Sequence, residues 1–236
     1  MYGGKRIGRA IMKCLEDYAT LIFDCDGVIL NSNHIKTEAF YSSALPYGEA
    51  AAQALMDHHI NNGGISRYEK FSYFLDKITP IHSPAIKGPD MDSLLADYAE
   101  RVLKGLLTCQ VADGLIDLRK KTQGTCWMVV SGGDQLELHE IFKLRGLSEM
   151  FDGGIFGSPD TKDQILSREL AYNSGPALFI GDSKYDYQAA ARQKLDFVFL
   201  WGMTEVKNYK SWCHAEGILT VRDISELARF ATAKKP

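Results

Sequence analysis

The chain has 236 residues, of which 45% are hydrophobic and 24% are charged, and its formal net charge is -3. This length is enough for one large core, or for a core that carries a smaller inserted domain. The slightly acidic charge predicts no nucleic-acid partner, because nucleic-acid binding needs a strongly basic face. No apolar run approaches the roughly 18 residues of a membrane span, so we also predict no membrane partner.

The N-terminal 18 residues contain a few basic side chains but no continuous apolar run and no small-residue cleavage site. This pattern is compatible with a short amphipathic helix and argues against a signal peptide. A mitochondrial transit peptide is the alternative, and Glu16 and Asp17 argue against it. Five widely spaced cysteines without a C-x-x-C pair indicate reduced thiols rather than a disulfide framework or a zinc site. We therefore expect a cytoplasmic protein.

The first predicted element is a strand at residues 19–24, where an apolar run ends in Asp24 and continues into Cys25, Asp26 and Gly27. Short continuous apolar runs are typical of parallel strands that are covered on both faces. Side chains alternate along a strand, so the thiol of Cys25 should point away from the two acids and into the core.

Residues 33–108 contain no strand pattern and predict an all-helical block. The four predicted helices lie at residues 34–44, 49–60, 67–78 and 93–107. The third helix follows Gly63 and Gly64 and begins with Ser66 and Glu69 at the spacing of a capping box. We predict a cap domain inserted into a core formed by residues 1–32 and 109–236. An insertion at the carboxyl end of a parallel strand lies over the usual ligand crevice, so it is a natural lid.

The second half of the chain alternates strands with helices. The predicted strands lie at residues 127–131, 177–182 and 196–201, and the predicted helices at 135–145, 162–171 and 186–193. This alternation predicts an α/β fold, a Rossmann-like doubly wound parallel sheet.

Polar residues follow the carboxyl ends of these strands. They are Asp24 and Asp26 after the first, Ser131 and Gly132 after the second, Asp182 and Asp186 after the third, and Lys162 at the start of an intervening helix. In a doubly wound sheet these positions converge on one crevice. Carboxylates this close repel one another unless a cation joins them, and hard oxygen ligands suit Mg²⁺. A lysine and a serine beside such a metal suit a phosphoryl group.

The order and spacing of these motifs resemble the haloacid dehalogenase-like phosphohydrolases. The resemblance covers residues 19–202 and rests on DCDGV at 24–28, VVSG at 129–132, Lys162 in SPDTK, and GDSKYD at 181–186. Within the family, the chain is similar to the group that contains β-phosphoglucomutase and phosphoglycolate phosphatase.

The resemblance implies a role for each acidic residue. Asp24 would be the nucleophile that forms an aspartyl-phosphate, and Asp26 would be the general acid/base. Mg²⁺ would be held by Asp24, the backbone carbonyl of Asp26, and Asp182, with Asp186 nearby or bound through water. An acid at position 26 suits a phosphate ester, whose leaving group needs a proton, and so favours a phosphatase or phosphomutase over C–Cl or C–P cleavage.

The resemblance also implies that Ser131, Gly132 and Lys162 bind the phosphoryl oxygens. Lys143 and Lys184 are the rival lysines for this role. The position of Lys162 shortly after a serine-proline pair favours it, while Lys184 lies inside the third acidic motif.

The helical block resembles a four-helix cap in which the loop between the second and third helices contacts the leaving group. The matching loop is residues 61–67, where Gly64 permits a tight turn. Arg67, with Lys70 as the second choice, would bind an anionic or polyhydroxylated substrate. Asn31 occupies a position where Asp is more usual, so hinge or substrate contacts are expected to differ there.

Several of these residues also have a purely structural interpretation. Asp186 could cap the helix that it begins, which is as plausible as metal ligation. Arg67 could be a solvated residue of a first helical turn. The adjacent His58 and His59 point in different directions on a helix, so we interpret them as a solvated or partly packed pair, and His34 as a surface residue.

We therefore predict a Mg²⁺-dependent phosphatase that acts on a small phosphate ester, with a sugar phosphate as the first choice, since a helical cap excludes macromolecules. A phosphomutase of the β-phosphoglucomutase type is the alternative. A binding or regulatory protein that has kept the fold without turnover is the third possibility. The oligomeric state stays open.

Overall fold

A computed structural model describes residues 14–172 and 175–231. Its centre is a six-stranded parallel sheet with the strand order β3-β2-β1-β4-β5-β6. The strands are β1 (Thr20–Phe23), β2 (Cys126–Asp134), β3 (Ile155–Ser158), β4 (Ala177–Gly181), β5 (Asp196–Leu200) and β6 (Leu219–Val221). The amphipathic helix considered for the N-terminus lies mostly outside the described residues, of which Leu15–Asp17 form one 3₁₀ turn.

Helices cover both faces of the sheet and form the inserted block, as expected for a doubly wound fold. In chain order they are α1 (Asn33–Ala44), α2 (Glu49–Asn61), α3 (Arg67–Tyr73), α4 (Thr79–His82), α5 (Met91–Leu106), α6 (Leu115–Lys121), α7 (Gln135–Leu144), α8 (Lys162–Glu169), α9 (Lys184–Arg192), α10 (Tyr209–Glu216) and α11 (Ile224–Leu227). The predicted fold class is confirmed. No helix in the described part of the chain is long and apolar enough to cross a membrane.

The register of the central strands brings their carboxyl ends to one edge. Phe23, the last residue of β1, is level with Val129 on β2 and Ile180 on β4. The strand order reverses between β1 and β4, and the crevice at such a reversal is the usual ligand site of an open α/β sheet. The residues that follow β1 and β4 are therefore placed side by side.

The four strands expected from the sequence are present, and β3 and β6 were missed. Both missed strands are short, lie at the two edges of the sheet and are only partly buried, so neither carries the continuous apolar run of a central strand. The prediction of one regular third cap helix was wrong. Regular α-helix ends at Tyr73 and continues as a π-helical turn (Phe74–Ile78), because Pro80 lacks the N–H that would continue the α-helical hydrogen bonds.

The inserted helices form a packed block on two linkers. On α5, an apolar stripe is buried at Leu94, Tyr98, Val102 and Leu106, and α5 packs against α1. The linkers run antiparallel between block and sheet: the Asn31 N–H donates to the Gln110 carbonyl at 2.9 Å, and the Ala112 N–H to the Ile29 carbonyl at 2.8 Å. This pairing fixes where the helices enter and leave the crevice.

Candidate active site

The crevice between β1 and β4 brings buried carboxylates together. Asp24 follows β1 and is 4% exposed, and Asp182 follows β4 and is 5% exposed. One carboxylate oxygen from each of Asp24, Asp182 and Asp186 lies within 4.8 Å of the others. The Asp24 N–H donates to the Ile180 carbonyl at 2.9 Å, which continues the strand pairing and holds the acids in register.

Gly27 lets the chain turn beside this cluster. Its φ is +73°, a left-handed conformation, and a Cβ at this position would lie 2.1 Å from Oδ2 of Asp182. Glycine satisfies both demands, since it lacks the atom that would clash. The turn leads the chain away from the sheet and toward the inserted helices.

Lys162 reaches the acids from the start of α8. Its Nζ lies 2.9 Å from Oδ1 of Asp24 and 2.5 Å from Oδ1 of Asp186, and its side chain is 1% exposed. Burial lowers the pKa of Lys162, but the charges of Asp186 and Asp24 outweigh this and raise it above its ordinary value. The rivals Lys143 and Lys184 are both exposed, so the structure brings Lys162 to the cluster and neither of them.

The acidic cluster fits a divalent cation. Burial raises the pKa of Asp24 to about 7, and the nearby Asp186 adds to this effect against the opposing charge of Lys162. Burial and the charge of Asp24 also raise the pKa of Asp182 well above its ordinary value. Buried carboxylates that repel one another are stabilised by a hard cation, and carboxylate oxygens are the ligands that Mg²⁺ takes.

Asp186 holds this cluster together through hydrogen bonds. Its Oδ2 accepts from the Ser183 hydroxyl at 2.7 Å, the Ser183 N–H at 3.0 Å and the Asp182 N–H at 3.2 Å. Helix α9 begins at Lys184, two residues before the predicted start, with Ser183 as its N-cap and a reciprocal capping box to Asp186. The helix-capping interpretation of Asp186 is therefore correct, and the same carboxylate positions Asp182.

Asp26 is engaged by a residue that the sequence analysis missed. Its Oδ2 accepts from Lys36 Nζ at 2.5 Å, and its Oδ1 accepts from the Ser32 hydroxyl at 2.6 Å. Burial would raise the pKa of Asp26, but the charge and hydrogen bond of Lys36 outweigh it and lower that pKa. The available sequence signal was the place of Lys36 in the first turn of α1, directly after the linker.

Asn33 is a second missed contact. Its Nδ2 donates to Oδ2 of Asp182 at 2.7 Å and to the Met203 carbonyl at 2.9 Å. The first residue of α1 is thereby fixed to the acidic cluster. Asn31, where the sequence suggested altered hinge or substrate contacts, is exposed and pairs through its backbone with the other linker.

The turn after the buried part of β2 meets the cap loop. Ser131 is fully buried, and its Oγ accepts from the Gly133 N–H at 3.0 Å. A Cβ on Gly132 would lie 2.4 Å from the carbonyl oxygen of Gly64. The cap loop therefore rests directly on this turn, and the structure brings Ser131, Gly132 and Gly64 to the same place.

Arg67 bridges the inserted helices and the sheet domain. Its Nη1 donates to Oε1 of Glu137 on α7 at 2.7 Å, and its Nη2 pairs with Oε2 of the same carboxylate. The guanidinium also lies 5.0 Å from the ring centre of Tyr98. Arg67 lines the cavity but is only 8% exposed, so the interpretation as a solvated residue was wrong.

A cavity of about 70 Å³ lies between the acids and the inserted helices. Its sheet side is lined by Asp24, Asp26, Gly132 and Asp182, and its helical side by Lys36, Phe40, His59, Gly64, Arg67, Lys70 and Tyr98. This arrangement can enclose a small molecule whose reacting group faces the acids. The polar residues on the helical side would determine which chemical groups the rest of that molecule can carry.

The positions of the histidines and of Cys25 can also be compared with those predicted from the sequence. His58 stacks on Tyr73 with ring centres 4.0 Å apart, and His59 is buried at the cavity, so of the two interpretations, solvated or partly packed, the packed one describes the pair. His34 is exposed, as expected. Cys25 is 1% exposed, and burial raises the pKa of its thiol well above the ordinary value, which confirms a structural role in the core.

Solved structures with the same architecture come from bacteria. A haloacid dehalogenase-like family hydrolase from Streptococcus pneumoniae is 18% identical, with a TM-score of 0.65 over 92% of this chain and 99% of that one. A protein from Haemophilus somnus described as a predicted phosphoglycolate phosphatase is 16% identical, with a TM-score of 0.68 over 92% and 99%. CbbY from Rhodobacter sphaeroides, solved in complex with phosphate, is 17% identical, with a TM-score of 0.62 over 89% and 96%.

At these identities the solved structures establish a shared fold. None of the curated proteins matches this chain in sequence. The sequence profile of the haloacid dehalogenase-like hydrolases matches residues 21–200, which include all four motifs and the whole inserted block. The chain belongs to the haloacid dehalogenase-like hydrolases.

Proposed function

We propose that this protein is a Mg²⁺-dependent phosphatase that hydrolyses a small phosphate ester through an aspartyl-phosphate on Asp24. The observation that carries the proposal is the presence of Asp24 and Asp26 in one cavity, with Lys162 and Asp182 beside them. Two acids that face one cavity can divide the work, one as nucleophile and the other as proton carrier.

Mg²⁺ would be held by Asp24, the backbone carbonyl of Asp26, and Asp182. Asp186 already accepts four hydrogen bonds, from Lys162, Ser183 and Asp182, so its contact with the metal would be through water or through the residues that it positions. When bound, the ion supplies positive charge that balances the acids and the phosphoryl oxygens.

The first half of the reaction transfers the phosphoryl group to the protein. A carboxylate oxygen of Asp24 attacks phosphorus, the new O–P bond forms, and the bond between phosphorus and the ester oxygen breaks. Asp26, in the protonated form that Lys36 disfavours, donates its proton to the departing oxygen, which leaves as an alcohol. Lys162 and the turn at Ser131 and Gly132 would bind the other phosphoryl oxygens and their developing charge.

The second half returns the protein to its starting state. Asp26, now ionised, accepts a proton from water, and the resulting hydroxide attacks the phosphorus of the aspartyl-phosphate. The O–P bond to Asp24 breaks, and inorganic phosphate leaves. Lys36 supports this half, because its charge and hydrogen bond favour the ionised form of Asp26.

The inserted helices, residues 33–108, would act as the cap that selects the substrate over the core of residues 1–32 and 109–236. The small cavity supports a low-molecular-weight phosphate ester as the partner, and a sugar phosphate is the first class to test. Among the similar structures, one from Bacteroides vulgatus is described as a putative β-phosphoglucomutase, so phosphate esters are a consistent starting point. The five free cysteines support a cytoplasmic location.

The test is a panel of phosphorylated metabolites with purified protein, with free phosphate measured in the presence of Mg²⁺ or EDTA. We expect Mg²⁺-dependent phosphate release from at least one small ester. Isomerised hexose phosphate without free phosphate would favour a phosphomutase. Absence of turnover on the whole panel would favour a binding or regulatory protein.

A further inference from the structure

Asn33, the first residue of α1, connects the inserted helices to the acidic cluster. Its side-chain amide donates to two oxygens of the core, Oδ2 of Asp182 at 2.7 Å and the Met203 carbonyl at 2.9 Å. No other group in residues 14–172 and 175–231 donates a hydrogen bond to the carboxylate of Asp182. Within that part of the chain, the orientation of this carboxylate therefore depends on a residue of the cap.

The turn at Gly27 leaves room for the hydrogen bond between Asn33 and Asp182. A Cβ at Gly27 would lie 2.1 Å from Oδ2 of Asp182 and 2.4 Å from Nδ2 of Asn33, the two atoms that the bond joins. A side chain at this position would separate donor from acceptor. The absence of a Cβ thus lets the first helix of the cap approach a carboxylate that belongs to the core.

Asn33 lies close to the point where the cap joins the core. The Asn31 N–H donates to the Gln110 carbonyl at 2.9 Å, which pairs the two linkers two residues before Asn33. Helix α1 continues for 12 residues, about 18 Å at the usual rise, and packs against both α2 and α5. A small rotation of α1 at Asn33 is therefore amplified at its far end and in the helices packed against it.

A second hydrogen bond from α1 to the core does not involve the acidic cluster. The Thr37 hydroxyl, one turn after Asn33, lies 2.8 and 3.0 Å from the two carboxylate oxygens of Glu205. Glu205 follows β5 and is separate from the cluster of Asp24, Asp182 and Asp186. Asn33 and Thr37 both hold α1 against the core, but only Asn33 does so through a carboxylate of the cluster.

A carboxylate that binds a metal is commonly oriented by a hydrogen bond, and loss of that bond weakens metal binding about 10- to 100-fold. We propose that Asn33 is a positioning residue that orients Asp182 for Mg²⁺ and thereby links metal binding to closure of the cap. The linkage is reciprocal: if the closed cap strengthens Mg²⁺ binding, bound Mg²⁺ favours the closed cap by the same factor. This inference rests on the magnesium site of the proposed function.

Calorimetric titration with Mg²⁺ tests the positioning role. In Asn33→Ala the amide is lost, and we expect the Kd of Mg²⁺ to rise about 10- to 100-fold above the wild-type value. Thr37→Val is the matched control, because it removes a hydrogen bond from the same helix to an acid outside the cluster, and its Kd should stay close to that of the wild type. Equal Kd values for all three proteins, or the same rise in both variants, would overturn the proposal.

Hydrogen exchange tests the linkage to the cap. In the wild type, replacing EDTA by Mg²⁺ should slow amide exchange in residues 61–67, because the ion fixes Asp182 and, through Asn33, the position of α1. This slowing should be lost in Asn33→Ala and retained in Thr37→Val. If Asn33→Ala does not fold, the wild type decides: the same exchange in Mg²⁺ and in EDTA would refute the linkage.

These measurements need no substrate, so the inference and the proposed activity can fail separately. Absence of Mg²⁺ binding by the wild type would overturn the magnesium site of the proposed function and this inference with it. Mg²⁺ binding that Asn33→Ala leaves unaltered would overturn the inference alone. Binding that is weakened in Asn33→Ala and not in Thr37→Val would support the inference even if no ester is hydrolysed.

Discussion

Asp24 and Asp182 are carboxylates whose raised pKa values make the metal-free protein sensitive to pH. Between the ordinary pKa of 3.8 and about 7, folded Asp24 keeps a proton that the unfolded chain has released. Stability without metal should therefore fall as pH rises through this window and level off above about 7. The raised pKa of Asp182 acts in the same direction.

Mg²⁺ should restore the folding stability that is lost as pH rises, because the ion binds the ionised carboxylates and competes with protons. We expect the increase in melting temperature caused by Mg²⁺ to be larger at about pH 8 than at about pH 5, each measured against EDTA by scanning calorimetry. Equal increases at the two pH values would contradict a site formed by these acids. Ca²⁺ serves as a comparison for the size and rigidity of the site.

Asp24→Asn tests the nucleophile. The amide has the same shape but cannot form the aspartyl-phosphate, so phosphate release should fall by at least about a thousandfold. The fold should be retained, since Lys162 keeps its contact with Asp186 and one source of repulsion is removed. In EDTA at about pH 8 we expect the variant to melt no lower than the wild type. Activity near the wild-type level would refute the role of Asp24.

At the scale of secondary structure, the contact between α3 and α7 joins the cap to the core. The bidentate pair of Arg67 and Glu137 is partly buried, with side-chain exposures of 7% and 25%, and Tyr68 adds a hydrogen bond to Asp134 at 2.8 Å. Charge-assisted pairs of this kind contribute about 1.5–3 kcal/mol. Losing the pair should shift the cap toward an open position.

A double-mutant cycle separates the role of the Arg67–Glu137 pair in cap closure from a direct role of Arg67 in substrate binding. If Arg67 acts only through Glu137, then Arg67→Ala, Glu137→Ala and the double variant should raise KM by the same factor, about tenfold or more. A larger effect of Arg67→Ala alone would show a direct substrate contact. Glu140→Ala, an exposed acid on the same helix, is the control and should leave KM unchanged.

The sequence predicts the central strands of the sheet but not its two edge strands. Residues 19–24 and 177–182 can be recognised as strands from the sequence, because burial on both faces requires continuous apolar side chains. The edge strands β3 and β6 need no such run, and the π-helical turn before Pro80 depends on local hydrogen bonding that periodicity does not report. The predicted ends of β1 and β4 are each within one residue of the observed ends, whereas β2 continues to Asp134, three residues past its predicted end.

At the scale of the whole molecule, the sequence named residues on both sides of the cavity, but more completely on the core side. On the cap side it named Gly64, Arg67 and Lys70, all of which line the cavity, and it missed Lys36. Asp24, Asp182 and Lys162 follow strand ends or begin helices whose positions the sheet fixes. The contacts of Lys36 and Lys70 depend on how the inserted helices close over the sheet, and spacing along one helix carries no information about that. A lysine beside a catalytic acid and a lysine in solvent have the same sequence signature.

Closure of the cap over the core can be tested at the point where the two meet. Gly132 has an ordinary backbone conformation, so alanine is tolerated locally. The new Cβ, however, would lie 2.4 Å from the Gly64 carbonyl oxygen, which requires the cap loop to withdraw. Gly132→Ala should therefore hold the cap partly open.

We expect Gly132→Ala to lower kcat/KM by at least about tenfold, because the cavity is completed only when the cap loop rests on this turn. Gly124→Ala is the matched control, since a Cβ at Gly124 meets nothing within 4 Å and should leave the rate unchanged. Hydrogen exchange at residues 61–67 should be faster in the first variant and unaltered in the second. Unchanged exchange together with a lower rate would place the effect of Gly132 in phosphate binding rather than in cap closure.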